Sequence, residues 1–316
     1  MELDRTRLAA AMHDLVSHAP HLPDLSAARV HTDRLGMREY AGASAVVYKV
    51  HGDAGTWALR FADGDGDKMV THHQLVLKHL GARPALRTLF PWFEARSQGL
   101  WMADRGTWLP MVRMDWVQGR SLLAEVEHRL GDSVALRALA DSLLHLLDTL
   151  HQHMLTHGDL QPDNLVVQAD GQVLLFDLDD VVVDSIVGEP WATGGFVGYA
   201  HPSRATSAER CHGVDLFPGL VMLLGIYGLA HDPDLWERVD LFDTGSLLCT
   251  EQDYATPWNS RRFRLLELVN DEMADLVRKI RLLAGLDLTL LGKLGRPSRV
   301  VAPGLRGRLA RLAGGW

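Results

Sequence analysis

The stretch HGDLQPDN, His157 to Asn164, decides how the rest of the chain can be interpreted. It is rich in turn-forming residues, and the short apolar runs NLVV and VLLF that follow predict a β-hairpin. Because hairpin strands are antiparallel, Asn164 and Asp177 should lie at the same end of this hairpin. The sequence therefore predicts one site that contains Asp159, Asn164 and Asp177.

These three side chains suit the transfer of a phosphoryl group from ATP. That reaction requires a carboxylate that orients or deprotonates the accepting hydroxyl, and oxygen ligands for the Mg²⁺ that bridges the phosphates. Asp159 suits the first role. The amide oxygen of Asn164 and the carboxylate of Asp177 suit the second. The bland alternative is a loop of turn formers that carries no chemistry.

Composition indicates a globular protein: 47% of the 316 residues are hydrophobic and 23% are charged. The two cysteines provide neither a disulfide framework nor a metal-ligand spacing. We expect no signal peptide, because the N-terminus lacks an apolar core segment. The longest apolar run, residues 216–230, is too short to span a bilayer and predicts a buried helix. We therefore expect a cytoplasmic protein without membrane contacts.

Charge is unevenly distributed along the chain. Residues 261–316 hold 12 Lys and Arg against 5 Asp and Glu, which leaves 20 against 35 for the rest of a chain of net charge −8. So acidic a body makes nucleic acid an unexpected ligand. The basic C-terminal segment suits either an acidic partner or a solvated helix face.

The pattern of apolar residues predicts an α+β fold with a β-rich part followed by a helical part. A helix is predicted over 4–17 and strands over 40–50, 57–62, 99–103 and 108–117. From about Ser121 helices dominate, including one with a leucine stripe over 136–150. The predicted domains are an N-terminal helical extension (1–27), a small β-rich lobe (28–118), a larger helical lobe (119–255) and a basic helical extension (256–316).

Several motifs together resemble the protein-kinase-like superfamily, which also contains the aminoglycoside and choline phosphotransferases. They are HGDLQPDNLVV…VLLFDLDD, GGFVGYAHPS, HGVDLFPGLVMLL and MVRMDWVQGRSL. The pattern is most similar to bacterial protein-kinase-like proteins that share an HGDLQ loop and a W-A-x-R strand. The resemblance covers roughly residues 28–255 and implies a two-lobed fold that binds ATP and Mg²⁺.

The resemblance also implies roles for individual residues. Asp159 and Gln161 would act in catalysis, Asp215 would tie down the catalytic loop, and Asp179 would be either a further metal ligand beside Asn164 and Asp177 or a solvated turn carboxylate. The nucleotide contacts would be Gly42, Ser44, Arg60, Met114, Asp115 and Val117. Arg60 stands where the superfamily has Lys, and no Glu that could pair with it occurs between Asp53 and Phe93.

The acceptor is predicted from residues 194–202, GGFVGYAHP, which resemble the peptide-docking segment of protein kinases. We therefore expect a Ser or Thr hydroxyl of a protein or peptide. A small-molecule phosphotransferase and a nucleotide-binding pseudokinase scaffold are the alternatives. Gly158 replaces the Arg that receives an activation-loop phosphate in many protein kinases, so the resemblance implies that this switch is absent.

Overall fold

The computed structural model of the chain describes residues 3–34, 36–41, 44–207, 209–239 and 245–294. This part forms two compact units. The first lies within Met1–Ala82 and Pro91–Val117, and the second within Arg83–Phe90 and Gln118–Trp316. An antiparallel sheet dominates the first unit and helices dominate the second. The predicted α+β fold is confirmed.

The first unit is built on an antiparallel sheet with the strand order β1-β5-β6-β8-β7, and β4 also pairs with β5. The strands of this unit are β1 (Arg29–Val30), β2 (Thr32–Asp33), β3 (Gly36–Met37), β4 (Glu39–Ala41), β5 (Ala45–Gly52), β6 (Gly55–Ala62), β7 (Phe93–Met102) and β8 (Thr107–Asp115), and β2 and β3 form a separate two-stranded sheet. Its helices are α1 (Arg5–His13), α2 (Leu15–His18), α3 (Pro23–Ser26) and α4 (Gly66–Gly81).

The hairpin of β5 and β6 is the centre of this sheet. The two strands pair along their whole length, which places Arg60 opposite Val47. The single strand predicted over 40–50 is wrong in one respect: its beginning forms β4, which folds back to pair with β5. Helix α4 begins where the carboxylate of Asp65 accepts the backbone N–H of Lys68 at 3.0 Å.

The N-terminal helices cover one face of the sheet. Leu8, Met12 and Leu25 are fully buried or nearly so against sheet residues that include Tyr48 and Phe61. The predicted continuous helix 4–17 is interrupted at Asp14, whose carboxylate accepts the Ser17 N–H at 3.3 Å and so caps a new turn. The N-terminal segment is thus part of the core of the first unit.

This packing predicts a stability effect. Leu8→Ala should lower the free energy of unfolding by about 2–5 kcal/mol, because it leaves a cavity beneath the sheet. Val16→Ala is the matched control, since Val16 lies on the neighbouring helix α2 with 62% of its surface exposed. Urea unfolding followed by tryptophan fluorescence measures both. Equal, small losses would contradict a structural role for the N-terminal helices.

Helices form most of the second unit, and the site loops connect them. Its helices are α5 (Pro84–Arg87), α6 (Leu122–His128), α7 (Ser133–Gln152), α8 (Leu216–His231), α9 (Leu235–Val239), α10 (Glu251–Ala255), α11 (Arg261–Glu267), α12 (Asp271–Ala284) and α13 (Leu288–Leu294). Its strands are β9 (Arg120–Ser121), β10 (Leu165–Val167) and β11 (Val173–Leu175), and 3₁₀ turns occur at Pro162–Asn164, Asp184–Ile186 and Pro202–Thr206.

Helices α7 and α8 form the core of this unit. The leucine stripe of α7 is buried, and α8 is buried on nearly every side because α7 and α12 both pack against it. This explains why the sequence of α8 is apolar around its whole circumference. No helix in the described part of the chain is both long and apolar enough to cross a membrane. Cys211 and Cys249 are free thiols.

Candidate functional site

The hairpin of β10 and β11 brings the predicted site residues of the second unit to one end. Leu165 pairs with Leu175 in antiparallel register, and the N–H of Phe176 donates to the carbonyl of Asn164 at 2.9 Å. Asn164 and Asp177 therefore flank the same end of the hairpin, as the apolar runs predict. The 3₁₀ turn Pro162–Asn164 connects the loop that carries Asp159 to the first strand of this hairpin.

Both oxygens of the Asp159 carboxylate accept hydrogen bonds. The backbone N–H of Phe196 donates to Oδ1 at 2.9 Å. The side-chain amides of Gln161 and Asn164 donate to Oδ2 at 3.1 and 3.3 Å. The carboxylate is only partly buried. These donors fix its orientation while leaving it accessible to a molecule in solution.

The amide of Asn164 has a defined orientation. Its Nδ2 donates to the backbone carbonyl of Asp159 at 2.8 Å as well as to the carboxylate of the same residue. Both partners are acceptors, so the amide nitrogen must face them and Oδ1 must face away. An amide oxygen turned away from the loop is the ligand that a bound Mg²⁺ would need.

Asp177 has an unusual backbone conformation. Its φ is +54°, in the left-handed region that residues other than glycine seldom adopt, although Asp tolerates it better than most. Such conformations persist where the surrounding structure enforces them, and they concentrate at functional sites. Two residues further along, the backbone carbonyl of Asp179 accepts a hydrogen bond from the guanidinium of Arg210 at 2.8 Å. The metal-ligand role of Asp179 stays a prediction.

The loop that carries Asp159 is anchored from below. The buried Asp215, at the start of α8, accepts the backbone N–H groups of His157 and, at 2.9 Å, of Gly158. Nε2 of His157 contacts the carbonyl of Phe176 at 2.6 Å and so links the loop to the hairpin. Burial raises the pKa of Asp215, and His157 and the two N–H groups oppose this rise. The predicted brace is present.

A group of buried and partly buried side chains beside this loop was not predicted from the sequence. We call Asp180, Trp191, Thr193, Arg204 and Arg210 the Asp180 cluster. The Asp180 carboxylate, 1% exposed, accepts the backbone N–H of Ala192 at 2.7 Å and the hydroxyl of Thr193 at 2.5 Å. It also pairs with Arg204 at 3.2 Å and Arg210 at 3.5 Å.

Arg204 connects three segments within this cluster. Its Nη1 donates to the carbonyl of Gly158 at 2.7 Å, and Nη2 donates to Asp180 and to the carbonyl of Thr193, each at 3.2 Å. Its Cζ lies 3.4 Å from the centroid of the Trp191 ring. Burial lowers the pKa of Arg204 and Asp180 opposes this fall, so the guanidinium stays charged.

The predicted nucleotide contacts of the first unit lie on or beside its central strands. The guanidinium of Arg60, which is 9% exposed, donates to Oγ of Ser44 at 3.3 Å. Met114 is half-buried on β8, and the N–H of Asp115 donates to the carbonyl of Trp92 at 2.8 Å. Val117 follows this strand.

The structure describes the surroundings of Lys49 but not those of Gly42. Gly42 lies outside the described residues, so its predicted phosphate contact stays a prediction. The ammonium of Lys49, on β5, lies 4.5 Å from the centroid of the Trp116 ring. The charge of Lys49 is therefore stabilised by an aromatic ring within the first unit.

The described residues of the second unit limit which kind of metal site it could form. Among the described residues, no group of three or more His, Cys, Asp or Glu side chains could hold a metal ion. Mg²⁺ at phosphotransfer sites characteristically takes only one or two protein ligands and completes its shell with phosphate oxygens and water. The pair Asn164 and Asp177 fits that type of site.

The comparisons with known proteins agree with this chemistry at a coarse level. No family model matches the sequence. The chain is similar to serine/threonine-protein kinase PknA of Nostoc sp. strain PCC 7120, with 27% identity over 153 residues. The match covers 45% of this chain and 25% of PknA. This distant similarity supports a kinase-like relationship and, coarsely, a kinase-like enzyme.

Proposed function

We propose that this protein is an ATP- and Mg²⁺-dependent phosphotransferase that acts on a hydroxyl group, most simply a Ser or Thr of a protein or peptide. The observation that carries the proposal is the arrangement around Asp159. A carboxylate held by three donors lies beside an amide whose oxygen is turned outward, and the hairpin adds a second carboxylate at the same end.

The chain's own groups divide the work as follows. Asp159 would accept the proton of the attacking hydroxyl, and the donors on its two oxygens would hold the remaining lone pairs toward that proton. Asn164 and Asp177 would hold Mg²⁺, which when bound neutralises charge on the phosphates. Gln161 would hydrogen-bond both Asp159 and a phosphate oxygen. Asp179 would be an additional metal ligand.

In the first unit, the proposal assigns nucleotide contacts to residues that the sequence already selects. Arg60 and Ser44, which bond to each other, would contact phosphate oxygens together with the backbone at Gly42. The backbone groups of Asp115 and Val117 would contact adenine, and Met114 would border the base.

A surface next to Asp159 supports the proposal that the acceptor is a protein or peptide. Phe196, whose N–H donates to that carboxylate, is 37% exposed, and its neighbour Val197 is 63% exposed. Both line an open groove of about 470 Å³ together with side chains of α10 and α11, including Glu251 and Arg262. A groove with apolar and charged walls suits an extended peptide better than a small alcohol.

A scaffold that binds nucleotide without transferring phosphate is the second candidate. The observation in its favour is Arg60, whose planar guanidinium replaces an ammonium and bonds to Ser44. The basic C-terminal segment would then contact an acidic partner; its residues 295–316 lie outside the described part. Against this candidate stands the full set Asp159, Asn164 and Asp177, which a scaffold does not require.

Label transfer from γ-labelled ATP tests the proposal directly. The purified protein is incubated with Mg²⁺ and proteins of a cell lysate, and separately with choline and an aminoglycoside. Label in protein that depends on Asp159 supports the proposed acceptor, and label only in a small molecule identifies the other type of phosphotransferase. Binding of MgATP without transfer to any of these or to water favours the scaffold.

A further inference from the structure

We propose that Arg204 is a positioning residue for Asp159, and that the Asp180 cluster sets the catalytic carboxylate without any covalent modification of the segment 191–204. This inference rests on the proposed function, because it explains how that function's base is held. It concerns residues to which the predicted chemistry assigns no role.

The first step is the backbone directly before Asp159. The N–H of Gly158 donates to Asp215 at 2.9 Å, and its carbonyl accepts from Arg204 at 2.7 Å. Gly158, which precedes Asp159, is thus held by a carboxylate at its N–H and by a guanidinium at its carbonyl. Charge-assisted bonds of this kind are among the stronger hydrogen bonds in proteins. Removing Arg204 would leave the Gly158 carbonyl without this hydrogen bond.

The second step is the path from Asp180 to the carboxylate itself. The Thr193 hydroxyl donates to Asp180 and accepts the N–H of Gly195 at 3.1 Å. The next N–H along the chain, that of Phe196, donates to Oδ1 of Asp159. Asp180 therefore holds the turn 193–196, and this turn supplies one of the three donors that orient the base.

The third step is electrostatic. Asp180 carries one negative charge and faces two guanidinium groups, both on side chains that are 4% exposed. Charges so deeply buried are stable only while they remain paired and hydrogen-bonded. The segment 191–204 therefore has a strong reason to stay closed on the loop: opening it would take Arg204 and the donors of Ala192 and Thr193 away from the buried carboxylate of Asp180. A phosphate on the segment is not needed to supply that charge.

The test combines a structural and a kinetic measurement on the full chain. Arg204→Gln removes the charge, and hydrogen exchange followed by mass spectrometry monitors peptides that contain Gly195 and Phe196. We expect these amides to exchange about tenfold faster than in the wild type, since their hydrogen bonds open more often. We expect kcat to fall about 10²-fold with the Kd for MgATP unchanged, as for a misplaced catalytic group. Arg204→Lys should recover part of both, because Lys keeps the charge but not the planar fork.

The chain offers a matched control in Arg281. This residue is also buried, donates to the carbonyl of Pro257 at 2.9 Å, pairs with Glu267 and lies 5.3 Å from the Trp258 ring. Arg281→Gln should lower the thermal midpoint while leaving exchange at Phe196 and kcat at wild-type values. An equal loss of kcat in both variants would overturn the proposal, because the effect would then be general destabilisation.

Other outcomes also decide. A folded Arg204→Gln protein with wild-type exchange at Phe196 overturns the proposal. If that variant fails to fold, Thr193→Val takes its place, since it removes only the hydroxyl link: faster exchange at Gly195 supports the proposal and unchanged exchange overturns it. If the wild type transfers no phosphate, the proposed function fails, and the exchange measurement still shows whether Arg204 holds the segment on Asp159.

Discussion

Replacing Asp159 by Asn should lower kcat for phosphoryl transfer by about 10³-fold, because an amide cannot accept the proton of the attacking hydroxyl. The Asn oxygen could still accept the Phe196 N–H, so the segment should stay in place. The Kd for MgATP should change much less than kcat, since Asp159 itself is not among the proposed metal and nucleotide ligands. Label transfer and calorimetry measure the two quantities separately.

Two further variants sharpen this experiment. Asp163→Asn is the matched control, because Asp163 is an exposed carboxylate in the same loop. We expect this variant to transfer phosphate at the wild-type rate. Asn at 159 would also turn an amide nitrogen toward the donors of Gln161 and Asn164. Asp159→Ala avoids this repulsion. Similar losses in both Asp159 variants assign the effect to the missing base, and wild-type rates in both would rule that role out.

Asp177→Asn should weaken MgATP binding and lower kcat by about 10³-fold, because a charged ligand of the metal becomes neutral. Asn is chosen because it tolerates the left-handed backbone at this position, where φ is +54°, whereas Ala would add strain. Calorimetric titration of ATP with and without Mg²⁺ measures the change. The loss should be confined to the titration that contains the metal.

Asp170→Asn provides the control for Asp177 at the opposite end of the same hairpin. Asp170 is exposed, and its carboxylate accepts the Gln172 N–H at 2.9 Å, a bond that the Asn oxygen can replace. Its affinity for MgATP should match the wild type. If Asp177→Asn also kept wild-type affinity and rate, the metal site at this end of the hairpin would have to be abandoned.

The sequence predicted those parts of the site that depend on local pattern. The two apolar runs determine the register of β10 against β11, and that register alone places Asn164 and Asp177 together. The leucine stripe predicted α7, and the uniformly apolar run predicted the buried helix α8. In each case a period or a spacing within a few residues contained the structural information.

The parts that escaped prediction depend on contacts distant in sequence. Arg204 lies 24 positions from its partner Asp180, and no periodicity connects them. The N–H of Phe196 that orients Asp159 is a backbone group, which no residue type reveals. A usable signal was nonetheless present: the second Asp of LDD and the Arg after HPS are charged residues in an otherwise apolar or turn-forming setting. Such charges, when buried, require a partner.

The absence of a side chain at Gly158 limits how regulation of this loop could evolve. A Cβ at this position would lie 2.1 Å from the carbonyl oxygen of Asp180, and φ is +84°. Arginine at position 158, the residue that would read a phosphorylated segment, would therefore require the backbone at Asp180 to shift, and so would any other L-residue with a Cβ. A variant that gained such a switch would have to change the loop of Gly158 and the loop of Asp180 together.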